Sequence, residues 1–415
     1  MNETHRSGTL RTTLRSLVPL LKDTAHDVTA RALKLSPQPH RTTEDPTFTT
    51  PTYLAGTAPG TLLNHHKITA VGTRGSSTRY EYVTTDSRDR LLTATGAIFR
   101  PRLPRGPVIA LAPSTQGVAP HCDPSYSCAV GVNAFRNPVD VIAAYEQPTI
   151  NWLLTAGATV IISDYPRDPA LGVQMYCDHP SSARALYDAI RAARHLGVDD
   201  QPLGLWGYSQ GGGAIGAMLE EPDYAPDVCP RAAFIGAPPA DLTDVLHHVD
   251  GTLATSVIAY TTAGLMVTSE EIQTEIFTEL TDAGLRELLD NIQRCVGGSL
   301  LISAWRSTAQ WTRRGLTFGA LCEDLPATGE ELEKRRLGGR APQIPVRLRA
   351  ARHDDVVPYE TVRRLRMKWA TAGADVDWRV SEIPRIPGGL GINHVLPYIR
   401  HFTDDAGWLL DRLAR

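Results

Sequence analysis

No apolar run in this 415-residue chain approaches the ~20 residues that a membrane-spanning helix needs, so no transmembrane segment is expected. A strong charge of one sign is also missing. The formal net charge is −3 with no long charged run, which gives no reason to expect a nucleic-acid partner. The six cysteines contain no C-x-x-C pair, so zinc-ribbon or thioredoxin-like chemistry is not expected and no metal is implied. Internal repeats and low-complexity tracts are absent as well. What remains, 42% hydrophobic and 21% charged residues, is an ordinary globular composition with enough chain for a full core.

The compartment is signalled in two directions. Between Met1 and Pro39 the only apolar block is Leu17-Val-Pro-Leu-Leu21, flanked by Arg15 and Lys22, too short for the core of a signal peptide. The same stretch carries Leu10, Leu14, Leu17, Leu21, Val28, Ala32 and Leu35 at helical spacing, with Pro19 as a kink. Residues 1–45 are therefore expected to form an amphipathic extension packed on the body of the protein, and the location expected on this ground is cytoplasmic. The even cysteine count instead permits disulfides and an oxidising compartment, although small buried thiols would serve equally.

Beyond the Pro/Thr-rich stretch His40 to Pro59, strand and helix patterns alternate. Tyr80 to Thr84 and Leu92 to Phe99 predict an antiparallel hairpin around Asp86–Asp89. Short continuous apolar runs at Pro107–Ala112, Ala158–Ser163, Leu203–Trp206, Ala232–Gly236 and Val346–Ala350 predict buried parallel strands. Helices are expected at Val139–Gly157, Ser182–Leu196, after Gly213 and at Phe402–Leu413. Between Leu242 and about Gly339 only helical patterns occur: Ser269–Leu280, Ala283–Cys295 and Ser299–Trp311. The expected fold is α/β, a mostly parallel central sheet with helices on both faces, built from 46–241 and 340–415. A helical cap or lid, 242–339, interrupts it.

Inside that pattern, Leu203-Gly-Leu-Trp-Gly-Tyr-Ser-Gln-Gly-Gly-Gly-Ala214 breaks a strand with glycines around one serine and resumes as a helix. This is the signature of a nucleophile elbow. Ser209 sits on a strained turn, and Gly207 and Gly211, two residues to either side, leave room for neighbouring elements. Tyr208 completes the turn. The helix behind the serine aims its free N–H groups at the site of developing negative charge, so the Gln210 N–H is a candidate oxyanion donor.

A serine hydroxyl needs a base, and the base needs a carboxylate to orient it. In hydrolases with this elbow the two follow the serine in the order Asp/Glu, then His. Asp354, four residues before Pro358 in a D-x-x-V-P pattern, is the candidate carboxylate; Asp355 is its alternative, or a cap for the helix beginning at Tyr359. His394 closes the glycine-rich loop Pro387-Gly-Gly-Leu-Gly-Ile-Asn-His394 and is the candidate base ahead of His353, His401, His247 and His248. The loop Ser114-Thr-Gln-Gly117, after the strand ending at Ala112, is expected to supply the second oxyanion donor.

These residues resemble the secretory lipase family, α/β-hydrolases of the lipase-A type, from about Pro51 to the C-terminus. The resemblance is carried by Pro59-Gly-Thr-Leu62, Thr95-Gly-Ala-Ile-Phe-Arg-Pro101, Cys122-Asp-Pro-Ser125 and Asp164-Tyr165. Gly207-Tyr-Ser-Gln-Gly-Gly212, Gly236-Ala-Pro-Pro-Ala-Asp241 and Asp354-Asp-Val-Val-Pro-Tyr359 add to it. It implies the triad Ser209, Asp354 and His394, Gly117 as the second oxyanion contributor, and a disulfide from Cys122 to Cys295. It also implies hydrolysis of acylglycerols or other lipophilic carboxylic esters without a cofactor, an acyl-binding cap able to meet a lipid surface, and a secreted location. Two features depart from the family pattern. No secretion signal is legible, which favours an intracellular acyltransferase as the alternative function. The loop Pro166-Arg-Asp-Pro-Ala-Leu-Gly172 replaces a short glycine-rich turn, and a changed substrate preference is expected from it.

Overall fold

The computed structural model describes residues 54–414 except 71, 74, 137–138 and 199–200. The amphipathic extension expected at 1–45 lies outside the described residues. Nine strands form one sheet: β1 (Leu62–Ile68), β2 (Ser76–Thr85), β3 (Leu91–Arg100), β4 (Val108–Ala112), β7 (Thr159–Ser163), β8 (Leu203–Tyr208), β9 (Ala232–Gly236), β10 (Val346–Ala351) and β11 (Val376–Ser381). Their order is β1-β2-β3-β7-β4-β8-β9-β10-β11, and a separate pair, β5 (Val132–Arg136) and β6 (Val139–Ala143), stands apart from it. The expected hairpin is β2–β3, in continuous antiparallel register from Ser76↔Arg100 to Thr85↔Leu91. From β7 to β11 every neighbouring pair is parallel.

The strands β4, β7, β8 and β9 are buried at every residue, which is why they read as unbroken apolar runs. Both faces are covered. On one, Ala185, Leu186, Ala189 and Ile190 of the helix His179–Arg194 pack with Ile215 and Met218 of Gln210–Glu220 and Leu365 and Trp369 of Tyr359–Thr371. On the other, Ile150, Leu153 and Leu154 of Gln147–Thr155 join Ala406, Leu409 and Leu413 of Ile392–Leu413.

Between β9 and β10 the chain is helical, in segments running from Leu242–Val249 to Pro326–Lys334. Leu242, Val245, Ile258, Ile276, Leu321 and their neighbours form a core of their own, which meets the sheet-bearing part through Val118, Met175 and Tyr176. No helix of the described residues is long and apolar enough to cross a membrane.

Three expected helices differ in extent. The one expected over Ser299–Trp311 begins earlier, at Val296, and ends at Ser303, because Ala304 leaves the helical region with φ −52° and ψ 130°. The segment expected as one helix over Val139–Gly157 opens as strand β6 and turns helical only at Gln147. Val139-Asp-Val-Ile-Ala143 buries Asp140 and Ile142 and keeps Val139 and Val141 only half-buried, a period of two that β-branched residues favour. The last helix begins at Ile392 rather than Phe402, with Pro397 inside it.

Candidate active site

Ser209 lies between β8 and the helix Gln210–Glu220 with φ 56° and ψ −122°, a region that side-chain-bearing residues rarely occupy. Its N–H donates to the Gly236 carbonyl at 2.9 Å, which ties the turn to the end of β9. The surrounding glycines are required by contact. A Cβ on Gly207 would stand 2.2 Å from the Gly211 carbonyl oxygen, and one on Gly211 would stand 2.0 Å from that of Ala112. Both obstacles are backbone and cannot swing away. Gly211→Ala is therefore expected to destabilise the fold by about 3 kcal/mol or more, read from the shift of the urea midpoint at constant m. A variant as stable as wild type would contradict this packing.

Asp354 and His394 are brought together across forty residues of chain. Asp354, on the loop after β10, sets its carboxylate oxygens 3.0 and 2.9 Å from His394 Nδ1. Its Oδ1 also accepts the N–H groups of Val356 at 2.9 Å and Val357 at 2.8 Å. Nδ1–H thus donates to the carboxylate, and the imidazole keeps Nε2 free to accept a proton. Burial alone would lower the His394 pKa, but the Asp354 carboxylate, with Asp355 behind it, outweighs burial and raises it.

Asp355 has a different task from the cap expected at Tyr359. Its oxygens accept from Gly391 N at 3.0 Å, Asn393 Nδ2 at 3.2 Å and His394 N at 3.2 Å, so it holds the first turn of the helix that carries His394. That turn lies inside the helix rather than in a loop. Asp355→Ala is expected to lower stability by about 1–2 kcal/mol as a lost helix cap. Unchanged thermal unfolding would contradict the cap.

Ser209 and His394 are not hydrogen-bonded to each other here. They are linked through Tyr208, whose hydroxyl donates to the His394 carbonyl at 2.6 Å and whose ring centroid is 5.2 Å from the imidazole. Catalytic hydrogen bonds often close only when substrate is bound. Gln210 is buried with its side chain donating to Gln174 Oε1 at 3.0 Å, while its backbone N–H, in the first helical turn, has no partner among the described residues.

Thr115, Ser209 and Gln210 share a narrow cavity of about 20 Å³ with Leu242, Val245, Leu246 and Val257 of the helical segment. Gly117 is placed elsewhere, paired with Cys295 at φ 125°, where any Cβ would strike Cys295 Cα at 2.7 Å. Cys122 and Cys295 form a disulfide across 173 residues of chain, while Cys128, Cys177, Cys229 and Cys322 are free.

The loop Pro166–Gly172 does not reach the cavity. Arg167 turns inward and donates to the carbonyls of Val118 and Ala119 and to the Asp123 carboxylate, so the loop braces the chain on either side of Cys122. One supporting residue escaped the sequence. Glu146, fully buried, accepts the Ser114 N–H at 2.7 Å and holds the loop beside the serine; its carboxyl pKa is raised by burial. It lay in the middle of an expected helix, where no pattern marks a buried acid.

A mostly parallel sheet with a strained serine at the turn from an interior strand into a helix defines an α/β-hydrolase. The chain belongs to the secretory lipase family, matched over residues 135–415, and its class is carboxylic-ester hydrolase. It is similar to the secreted triacylglycerol lipase LIP2 of Malassezia furfur, 25% identical over 370 residues covering 85% of this chain and 75% of that protein. Lipase 2 of Candida albicans is 25% identical over 270 residues, 61% of this chain and 56% of that protein, so the chain spans little more than half of this relative. A protein of Mycobacterium tuberculosis described as "Probable inactive lipase MT1628" is 26% identical over 318 residues, 74% of this chain and 66% of that one. Among solved structures, Candida antarctica lipase A in its closed state superposes with a TM-score of 0.77 at 20% identity, covering 89% of this chain and 86% of that chain.

Proposed function

We propose that this lipid-ester hydrolase works through Ser209, His394 and Asp354 by way of an acyl-enzyme, on acylglycerol-like or other lipophilic carboxylic esters. His394 Nε2 takes the Ser209 proton as Oγ attacks the ester carbonyl. The tetrahedral oxyanion is met by the Gln210 N–H and by a backbone N–H of the loop Ser114–Gly117, whose Thr115 lines the cavity; Gly117, the donor that the family resemblance implies, stands outside that cavity. The imidazolium returns its proton to the leaving alkoxide, and water then attacks the acyl-enzyme by the same route in reverse. The strained Ser209 backbone carries the reading, since a fold keeps such a conformation only where surrounding contacts impose it.

The helical segment 242–339 acts as the cap. A cavity of about 20 Å³ holds roughly one water molecule, so an acyl chain enters only when the roof formed by Leu242, Val245, Leu246 and Val257 moves. The apolar lining suits a hydrocarbon chain. A series of p-nitrophenyl esters graded by acyl length tests the substrate class: kcat/KM should rise from acetate to medium or long chains. A flat or falling series would remove the lipophilic reading.

The pH dependence follows from the histidine. Its base form is required, so kcat/KM should fall as pH drops through the His394 pKa, and that limb should lie above the ordinary imidazole value of 6.5. An acid limb below that value would contradict the pairing with Asp354.

A further inference from the structure

Away from the serine, four potential metal ligands from three separate segments converge. His121 and Cys122 end the short turn Pro120–Cys122, Asp140 lies on β6, and Cys295 precedes the helix Val296–Ser303. One ligand atom from each lies within 4.8 Å of all the others. His121 Nε2 is 2.9 Å from Asp140 Oδ2. The other three residues are buried, while His121 is part-exposed and gives an ion a way in. The carboxylate is already oriented, with Oδ1 accepting Val141 N at 2.8 Å and Gly298 N at 3.1 Å, and Oδ2 accepting Cys295 N at 2.8 Å.

Two thiolates, an imidazole and a carboxylate are a tetrahedral donor set suited to zinc. Ligand atoms on such an ion are about 3.3–3.8 Å apart, given bonds of about 2.0–2.3 Å, so the His121–Asp140 contact need open only slightly. The sulfurs are engaged with each other instead. We propose that reduction of the Cys122–Cys295 disulfide turns this tie into a binding site for a zinc-class divalent cation.

The reductant is a dithiol, which delivers two electrons and two protons and becomes a disulfide itself, leaving thiols on Cys122 and Cys295. Binding M²⁺ releases one proton from each thiol, and His121 coordinates through Nε2 as the Nδ1–H tautomer. The metal then performs the disulfide's mechanical task. Beside it, Val296 N donates to Gln116 O at 2.9 Å and Gly117 pairs with Cys295, so the link joins the helical segment to the loop next to Ser209. Either a disulfide or a metal holds that junction, whichever the redox state of the compartment allows. The spacing rules for metal motifs miss this arrangement because its two cysteines are 173 residues apart.

The test uses the full chain, reduced with a water-soluble phosphine (converted to its oxide), desalted without oxygen and titrated with Co²⁺. The reduced protein should bind one Co²⁺ with thiolate charge-transfer absorption and tetrahedral d–d bands, and the oxidised protein should show neither. His121→Ala, which leaves both cysteines in place, should weaken binding at least about tenfold, and Cys122→Ser/Cys295→Ser should abolish the bands. Cys229→Ser, at the exposed free cysteine, should leave them unchanged. Reduced protein that unfolds and refolds on adding Zn²⁺ supports the same conclusion. No bands after reduction, bands that survive the double replacement, or unfolding that Zn²⁺ does not reverse would overturn it.

Discussion

Ser209→Ala should lower kcat for ester hydrolysis by about 10⁶-fold while leaving the fold intact, as loss of the nucleophile does in a serine protease. Only the hydroxyl is removed, and the Ser209 N–H bond to the Gly236 carbonyl that ties the turn is kept by alanine. Ser209→Gly separates chemistry from strain. At φ 56° and ψ −122° the serine pays a conformational penalty that glycine escapes, so this variant should be inactive yet more stable than wild type by about 1–2 kcal/mol. Urea unfolding of both variants beside an ester assay reads the two effects independently. Substantial hydrolysis by Ser209→Ala would mean that another group attacks the ester.

Asp354→Asn should cost about 10⁴-fold in kcat, the order found when a triad carboxylate becomes an amide. The cause lies in the hydrogen bonds around it. Val356 N and Val357 N donate to Oδ1, so an asparagine must turn its carbonyl toward them and its NH₂ toward His394 Nδ1. An NH₂ donates, which forces Nδ1 to accept and places the ring proton on Nε2, where the base must be empty. The residual activity should also shift its acid limb to lower pH, because with the carboxylate charge gone burial dominates and lowers the imidazole pKa. Loss of activity with no movement of the limb would show that Asp354 shapes the loop without acting on His394.

The parallel strands of the sheet were legible because burial on both faces leaves one-dimensional apolar runs, as at Val108–Ala112 and Thr159–Ser163. The elbow was legible because its glycines answer to backbone contacts that any such turn creates. The edge strand β1 was not. Leu-Leu-Asn-His-His-Lys-Ile68 of β1 is largely polar and half-buried, and nothing in its composition separates it from a loop. Val376 to Ser381 of β11 does alternate, Val, Trp and Val against Asp and Arg, and its period of two is a readable signal. The start of the His394-bearing helix at Ile392 was hidden by Pro397 and a run of glycines, which read as a loop; Asp355 supplies the cap from a distant segment. Tertiary contacts decided each of these points, among them the Glu146 brace on Ser114 and the inward turn of Arg167.

Reaction with a fluorophosphonate probe tests the mechanism most directly, since only a serine activated by a neighbouring base reacts quickly. Peptide mass spectrometry of the treated native protein should place the phosphonate on Ser209, with labelling lost in His394→Ala and after denaturation. A native protein that stays unlabelled, or one labelled at another residue, would contradict the assignment of Ser209 as the nucleophile.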